Sequence, residues 1–393
     1  MFYTRKILSG LVEHLFQKQV TVLTGMRRTG KTTLTKELMG LSNISQQYFF
    51  DLERIDNRKL FSQENYEDII LALKQQGANF SEKVLIALDE IQLVPNIPST
   101  IKYLYDHYDI KFICTGSSSY YIKNKFQESL AGRKKVFEIH PLDFGEFLTF
   151  NEIPYLPTQN IFDIKDNISE YERLKGYYEI FLEFGGFPEV VLTQKASEKR
   201  DLLKDILESY INIDIIQLSD IRKTSEIENL ISLLAARIGT KLDISKISSA
   251  CQLSRPTVEN YIYFLESTYL INTIPVYSLN PDREIVKARK IYFSDSGLVA
   301  FCSPLSSGSK FENTIYNQLK HFGSVSYYQM KNGNEIDFIL DKKYSFEVKE
   351  TGNGADFNKL LRLSSNLNIK DGKIISRYIT NPFPEMIWGG MIR

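Results

Sequence analysis

The sequence predicts a multidomain α/β chain. A parallel sheet wound with helices comes first, then a helical connector, a three-helix block with a β-hairpin, and a C-terminal domain of order αβββαβ. Three observations predict it. The chain has 393 residues, and at roughly 150 residues per domain that is two or three cores. Three apolar strand-like runs, 20–23, 84–88 and 111–115, each end in glycine, carboxylates or hydroxyls, as strands buried on both faces of a parallel sheet do. After the small-residue stretch 303–309 a helical pattern is followed by three strand-like runs, a helix and a strand.

Composition narrows the function classes. Apolar residues make up 43% and aromatics 12%, with 12 Pro and 21 Gly, which is too hydrophobic for a disordered chain. Lys plus Arg and Asp plus Glu are both 48, so no whole-molecule field draws the chain to DNA or an anionic membrane. Any nucleic-acid site must be local. The middle, 151–275, is acidic with 13 basic against 19 acidic residues, and 276–393 is basic with 16 against 12. Cys114, Cys251 and Cys302 are far apart, suggesting neither a disulfide framework nor a thiolate metal site, and a reducing cytoplasm is expected. His14, His107, His140 and His321 do not cluster, so a zinc site has no support. No apolar run approaches the roughly 20 residues that span a bilayer, and the charges Arg5, Lys6, Glu13 and Lys18 do not read as a leader. No membrane is expected among the partners.

The first strand runs into Gly25-Met26-Arg27-Arg28-Thr29-Gly30-Lys31-Thr32-Thr33, and a helical pattern follows through Leu34 and Leu38. In this GxxxxGKT arrangement glycines let backbone N–H groups curl around phosphate oxygens, and the helix presents its positive end to them. Lys31 would bridge the β- and γ-phosphates and Thr32 would place its hydroxyl on Mg²⁺. Thr33 follows as a loop-end residue that fits the helix better than a second ligand. Arg27 and Arg28 either touch phosphate or point to solvent.

The run 84–88 delivers Asp89 and Glu90 at its C-terminal end, where parallel sheets bind ligands. Asp89 would hold Mg²⁺ through water, and Glu90 would orient or deprotonate the attacking water. The third run ends Thr115-Gly116-Ser117-Ser118. Ser117, past the strand end, is a better γ-phosphate sensor than Thr115, although turn chemistry explains Ser and Gly there equally well. Arg133 precedes a strand at 135–139. It would stabilise transition-state charge in cis or from a neighbouring subunit, or lie on the surface.

GMRRTGKTT, VLIALDEIQ, ICTGSSS, SLAGRKKVFEIHPLDFGEF and FGGFPEVV together resemble the AAA-type P-loop ATPases of bacteria and archaea that carry a family-specific C-terminal region. The resemblance covers nearly the whole chain and implies ATP and Mg²⁺ as cofactors. It makes Lys31, Thr32, Asp89 and Glu90 nucleotide-site residues, Arg133 a finger and the helical block after 155 a lid.

Pro154 and Pro157 set the expected end of the ATPase domain at 155. A connector is expected over 156–220, with Leu202, Leu203, Ile206, Tyr210, Ile213 and Ile216 or Gln217 as its apolar stripe. Over 221–302 the pattern of three helices, a strand, a turn at Asn280-Pro281-Asp282 and a second strand predicts a winged helix. Its third helix offers Arg255, Thr257 and Asn260 against Glu259 and Glu266, a poor reader of bases. Arg283, Lys287, Arg289 and Lys290 gather on the wing, where they would neutralise phosphates or simply be solvated.

In 303–393, alternation puts Glu335 and Asp337 on one face of a strand and Glu347 and Lys349 on one face of the next. A turn at 341–343 makes Asp337 and Glu347 cross-strand neighbours, which repel unless a divalent cation lies between them. The spacing resembles the PD-(D/E)xK nuclease core, a restriction-endonuclease-like fold, with Glu312, Asp337 and Glu347 as metal ligands and Lys349 as the catalytic lysine. Ile336 stands where that pattern has proline. The expected function is a Mg²⁺-dependent ATPase coupled to this C-terminal half and acting on DNA. The alternative is a nucleotide-dependent interaction switch whose nuclease-like domain is inactive. Expected partners are ATP, duplex DNA through the wing and C-terminal domain, and further copies of the chain.

Overall fold

A computed structural model describes residues 2–117, 130–158, 160–164, 167–215, 224–278, 288–330 and 332–393. They form two compact units. The first comprises 1–140 with the later segments 213–220 and 267–269, and the second holds the rest. The second unit contains helices and strands from 141 onward apart from those two segments.

In the first unit, α1 (Leu8–Leu15), β1 (Val20–Thr24), α2 (Lys31–Leu41), β2 (Gln46–Asp51), α3 (Ile55–Phe61), α4 (Tyr66–Gln75), β3 (Val84–Asp89), α5 (Ile97–His107), β4 (Ile110–Gly116) and β5 (Lys134–Glu138) follow in order. All strand pairings are parallel, in the order β2-β3-β4-β1-β5. Side chains alternate between two cores. Val84, Ile86 and Leu88 join Val20 and Val22 on one face, while Leu85 and Ala87 join Leu23 on the other. Burial on both faces is why these strands read as unbroken apolar runs. The strand bearing Asp89 is not next to β1, because β4 lies between them.

In the second unit, α6 (Phe144–Phe150), α7 (Ile168–Phe184), α8 (Pro188–Leu192) and α9 (Ala196–Ser209) are followed by α10 (Thr224–Ala235), α11 (Ile244–Cys251), α12 (Arg255–Ser267), β6 (Ile271–Ile274) and β7 (Lys290–Phe293). The last two pair antiparallel. The turn at 280–282, Arg283 and Lys287 lie outside the described residues.

Next come α13 (Ser296–Cys302), α14 (Ser307–Leu319), β8 (Val325–Gln329), β9 (Glu335–Leu340), β10 (Tyr344–Lys349), α15 (Gly354–Ser365), β11 (Asp371–Ser376) and β12 (Met386–Trp388). The sheet is mixed, ordered β12-β11-β10-β9-β8. Pairings are antiparallel among β8, β9 and β10 and parallel among β10, β11 and β12.

The PLDFGEF and GGFPEVV runs have a packing role here. Asp143 and Glu146 form a reciprocal cap on α6, which satisfies two of its orphan N–H groups. Leu142 N–H donates to the Gly186 carbonyl at 2.7 Å, and a Cβ on Gly186 would lie 2.1 Å from the Leu142 carbonyl oxygen. Only glycine fits. Asp295, fully inside the second unit, caps α13 through Gly297 N–H and Leu298 N–H, and its other oxygen accepts from Gly186 N–H at 2.7 Å. Phe144, Tyr178 and Trp388 meet edge to face nearby. Such pairs add about 0.5–1.5 kcal/mol each beyond burial.

Candidate functional site

The glycine loop connects β1 to α2 at the C-terminal end of the parallel sheet. Gly25 has φ +151°, and a Cβ there would lie 2.1 Å from the Ile139 carbonyl oxygen. Gly30 takes φ +94° as the residue before α2. Thr29 is buried and its hydroxyl donates to the Met26 carbonyl at 2.8 Å, bracing the loop from inside. Arg5 donates to the Thr29 carbonyl at 3.0 Å. Lys31 is buried, and its ammonium donates to the carbonyls of Gly25 (2.8 Å) and Met26 (2.9 Å). Burial pulls its pKa down, opposed chiefly by Glu90 and then Asp214. Arg28 and Thr33 are exposed, and Arg28 has φ +61°.

Thr32 hydroxyl donates to Asp89 Oδ2 at 2.8 Å. Asp89 is buried, which pushes its carboxyl up, while the hydroxyls of Thr115 and Thr32 work the other way. Thr115 hydroxyl donates to Asp89 Oδ1 and accepts from Glu90 N–H at 3.0 Å. Glu90 itself has a left-handed backbone, φ +56°, an uncommon conformation for a non-glycine residue that often marks functional turns. Its carboxylate accepts from Gln92.

Sequence reasoning missed Asp214 and Gln92. Asp214 is 2% exposed and lies on the helical turn Tyr210–Ile215. Its Oδ1 accepts from Arg27 Nε at 3.0 Å and from Ser117 hydroxyl at 2.7 Å. Gln92 Nε2 donates to Ser117 Oγ at 3.1 Å. A polar chain therefore runs from Arg27 through Asp214, Ser117 and Gln92 to Glu90. Burial pushes the Asp214 carboxyl up against the pull of Arg27. Burial also works against the charge of Arg27, but Asp214 and Glu90 outweigh it and raise its pKa. The turn is of the wide, π-type form, which shifts the helical phase relative to a regular helix. Asp214 is thereby buried while Ile213, in the expected stripe, is only half-buried. An acid within an apolar stripe was the available signal.

Arg133 is not part of this chain's own nucleotide site. It sits just before β5, whose Lys134 is in register with Val20 at the start of β1, about 13 Å of strand from the glycine loop at roughly 3.3 Å per residue. There it makes a two-pronged ion pair with Asp106, 2.9 and 3.2 Å. The cis role is corrected on that ground.

In the second unit, the β9–β10 register pairs Phe338 with Phe346, so the next step sets Asp337 opposite Glu347. Both are buried, at 8% and 4% exposure, and this face is not a solvated one. Asp337 Oδ2 accepts from Val348 N–H at 2.8 Å and Glu347 from Lys349 at 2.6 Å, while Glu347 Oε2 has no partner among the described residues. Burial and then Asp337 push both Glu312 and Glu347 up to about 7.

Lys290, expected on the wing facing DNA, is instead 2% exposed. Its ammonium lies 3.2 Å from Glu335 Oε1 and 3.9 Å from Glu312 Oε1. Glu312 also accepts from the Tyr292 hydroxyl at 2.8 Å. Among the described residues no group of three or more His, Cys, Asp or Glu side chains is placed to hold a metal ion. The internal ammonium of Lys290 supplies compensating charge beside Glu335 and Glu312. Arg289 is exposed, with a bond to Thr273 hydroxyl at 3.2 Å.

A glycine loop between β1 and α2, with a threonine hydroxyl bonded to the acid that ends β3, defines a P-loop nucleotide-binding domain. Consistent with that class, residues 17–148 match the family model described as an AAA domain. Residues 176–309 and 307–383 match two models described as domains of unknown function, DUF8612 and DUF4143. The first domain is thus of the AAA P-loop type. An uncharacterized protein of Methanocaldococcus jannaschii is 28% identical over 342 residues, covering 83% of this chain and 73% of its own length. One of Haemophilus influenzae is 23% identical over 389 residues, covering 93% and 92%. Among solved structures, the Aeropyrum pernix Orc1 protein in complex with DNA is similar with a TM-score of 0.32 at 12% identity, covering 77% of this chain and 92% of that one. The Thermotoga maritima RuvB Holliday junction branch migration motor gives 0.32 at 14% identity, covering 70% and 91%. Among the described residues no helix is long and apolar enough to cross a membrane.

Proposed function

We propose that the chain is a Mg²⁺-dependent ATPase of the AAA type that couples ATP binding and hydrolysis to its C-terminal half, acting on DNA. The observation that carries it is the pairing of Thr32 with Asp89 at 2.8 Å, directly beside Glu90. Thr32 and Asp89 fit Mg²⁺: a neutral hydroxyl and a carboxylate already adjacent are the oxygen donors such an ion takes alongside phosphate and water. Held there, Mg²⁺ would supply neutralisation of developing phosphate charge.

The rest of the chemistry belongs to the chain. The glycine-loop N–H groups and the start of α2 hold the phosphates. Lys31 exchanges the Gly25 and Met26 carbonyls for phosphate oxygens. Glu90 orients and deprotonates the attacking water, and Thr115 fixes the backbone from which it projects. Coupling is supported by connectivity. The segments 213–220 and 267–269, which flank α10 to α12 in the chain, belong to the nucleotide unit, and there Tyr269 hydroxyl donates to Thr24 Oγ1 at 3.1 Å, one residue before the loop. DNA contact would fall to the exposed Arg255, Asn260 and Arg289, a modest set that would contribute salt-sensitive, sequence-tolerant binding.

A second reading, favoured by Lys290 within the carboxylate cluster, keeps the ATPase but makes the C-terminal half a binding module without cleavage. An ATPase assay of the full chain with and without duplex DNA tests the proposal. Stimulation supports coupling on DNA, whereas Mg²⁺-ATP turnover equal to that of Lys31→Ala would defeat the ATPase reading itself.

A further inference from the structure

A buried carboxylate beside a phosphate-binding loop is electrostatically out of place. Phosphate sites collect N–H donors and cations, and an added negative charge there opposes the ligand. Asp214 nevertheless sits among the loop's own partners. Its Oδ1 takes Arg27, inside the glycine loop, and Ser117, which follows the end of β4 next to β1. Among the described residues its Oδ2 is buried without a hydrogen-bond partner. Gln92 Oε1 is likewise buried and, among the described residues, unpartnered. Leaving such groups unsatisfied opposes folding, so packing alone does not explain the arrangement. Arg27 also reaches Glu53 at 3.4 Å, and Lys31 feels the Asp214 charge.

We infer that Asp214 competes with the terminal phosphate of a nucleoside triphosphate for Arg27 and Ser117, and so sets how strongly the site prefers triphosphate over diphosphate. The inference rests on the proposed nucleotide site and adds a specificity-determining residue to it. A carboxylate resembles one face of a phosphoryl group, offering two acceptor oxygens where the phosphoryl offers three. A triphosphate must therefore displace Asp214 to engage these groups, while a diphosphate, which ends one phosphoryl earlier, need not. Displacement would also free Ser117 and alter the hold of Gln92 on Glu90, so that the water-orienting acid is released when the terminal phosphate is present.

The test is equilibrium titration of the full-length chain with fluorescent N-methylanthraniloyl ATP and ADP in Mg²⁺. Wild type is compared with Asp214→Asn, which keeps the shape and removes the charge, and Asp214→Ala, which removes both. Triphosphate affinity should rise about tenfold in the Asn variant, the equivalent of 1.4 kcal/mol, with diphosphate affinity changed less than about twofold. Equal changes for both nucleotides, or weaker triphosphate binding, would overturn the inference. Should Asp214→Ala not fold, as far-ultraviolet dichroism would reveal, the isosteric Asn variant still decides. Absence of binding to wild type would instead sink the nucleotide site itself, a separate failure.

Discussion

Thr115 and Asp89 are joined across the β4–β3 boundary, the threonine hydroxyl donating to one carboxylate oxygen while Thr32 donates to the other. The same Thr115 hydroxyl accepts from Glu90 N–H. One fully buried residue on the intervening strand thus fixes both acids of the site. Thr115→Val keeps shape and burial but strands an acceptor and a donor. Stability should fall by about 1–3 kcal/mol, read by urea unfolding. ATP hydrolysis should fall on the order of 10²-fold, the scale expected when catalytic groups lose their positioning. ATP affinity should stay near wild type, because the phosphate contacts are elsewhere. Loss of binding alongside turnover would contradict this division.

Glu90→Gln removes the base while keeping size and the Gln92 contact. Turnover should drop by about 10²–10⁴, the usual contribution of a positioned general base, with retained ATP detectable by gel filtration of the complex. Lys31→Ala should lose binding instead. A Glu90→Gln protein that turns over ATP normally would show that another group orients the water.

The Glu90 prediction rests on what is readable from sequence, whereas the bridging role of Thr115 and the place of Asp214 are not. The P-loop and the acid pair are legible because their chemistry is local: each sits where one strand meets one loop, and spacing alone fixes the geometry. The order of elements in the C-terminal region is legible for the same reason, since alternation names the faces of β9 and β10. Three things were not. Insertion of β4 between β1 and β3 is a choice of topology, and it is what made Thr115 central and Ser117 a partner of Asp214. The π-type turn at 210–215 offset a stripe that had been counted at 3.6 residues per turn. Lys290 looked like a wing cation because charge in a hairpin is normally solvated; its burial depends on Glu312 and Glu335, which lie 22 and 45 positions further along.

Arg133→Ala should leave ATP turnover of the isolated chain unchanged. Its ion pair with Asp106 is one-third exposed on both sides, where solvent screening leaves such pairs little weight, so the melting temperature should barely move. A tenfold loss of turnover that appears only at high protein concentration would assign Arg133 to a neighbouring copy's site.

The carboxylates of the second unit set a pH dependence. Glu312 and Glu347 are pushed up to about 7, foremost by burial and then by Asp337. Between their unfolded range near pH 4.3 and pH 7 the folded chain holds protons that the unfolded chain has released. Linkage then requires stability to fall as pH rises through this window and to level off above it. Thermal melts from pH 5 to 8 should show that decline for these two groups, flattened in a Glu312→Gln, Glu347→Gln double variant. A double variant with the same slope as wild type would assign the pH dependence to other groups.

Lys290 gives the sharpest test of the C-terminal half. Its ammonium is almost wholly buried between Glu335 and Glu312, with Asp337 close enough to raise its pKa against the effect of burial. Replacing it by methionine keeps much of the volume and leaves the acids uncompensated. Breaking a buried pair from one side costs on the order of 3 kcal/mol, and the partial exposure of both glutamates should place the loss at or below that figure. The acids would then need another cation. Mn²⁺ should raise the melting temperature of Lys290→Met in the millimolar range while leaving wild type unchanged, and calorimetry should register Mn²⁺ binding only to the variant. Lys290 is then the resident cation of this carboxylate cluster, and plasmid incubated with wild type and Mg²⁺ should remain intact. Mn²⁺ binding of equal strength to wild type and variant, or plasmid cleavage by wild type that is lost in Asp337→Ala, would show that the lysine and a metal coexist and would restore the cutting role to Asp337, Glu347 and Lys349.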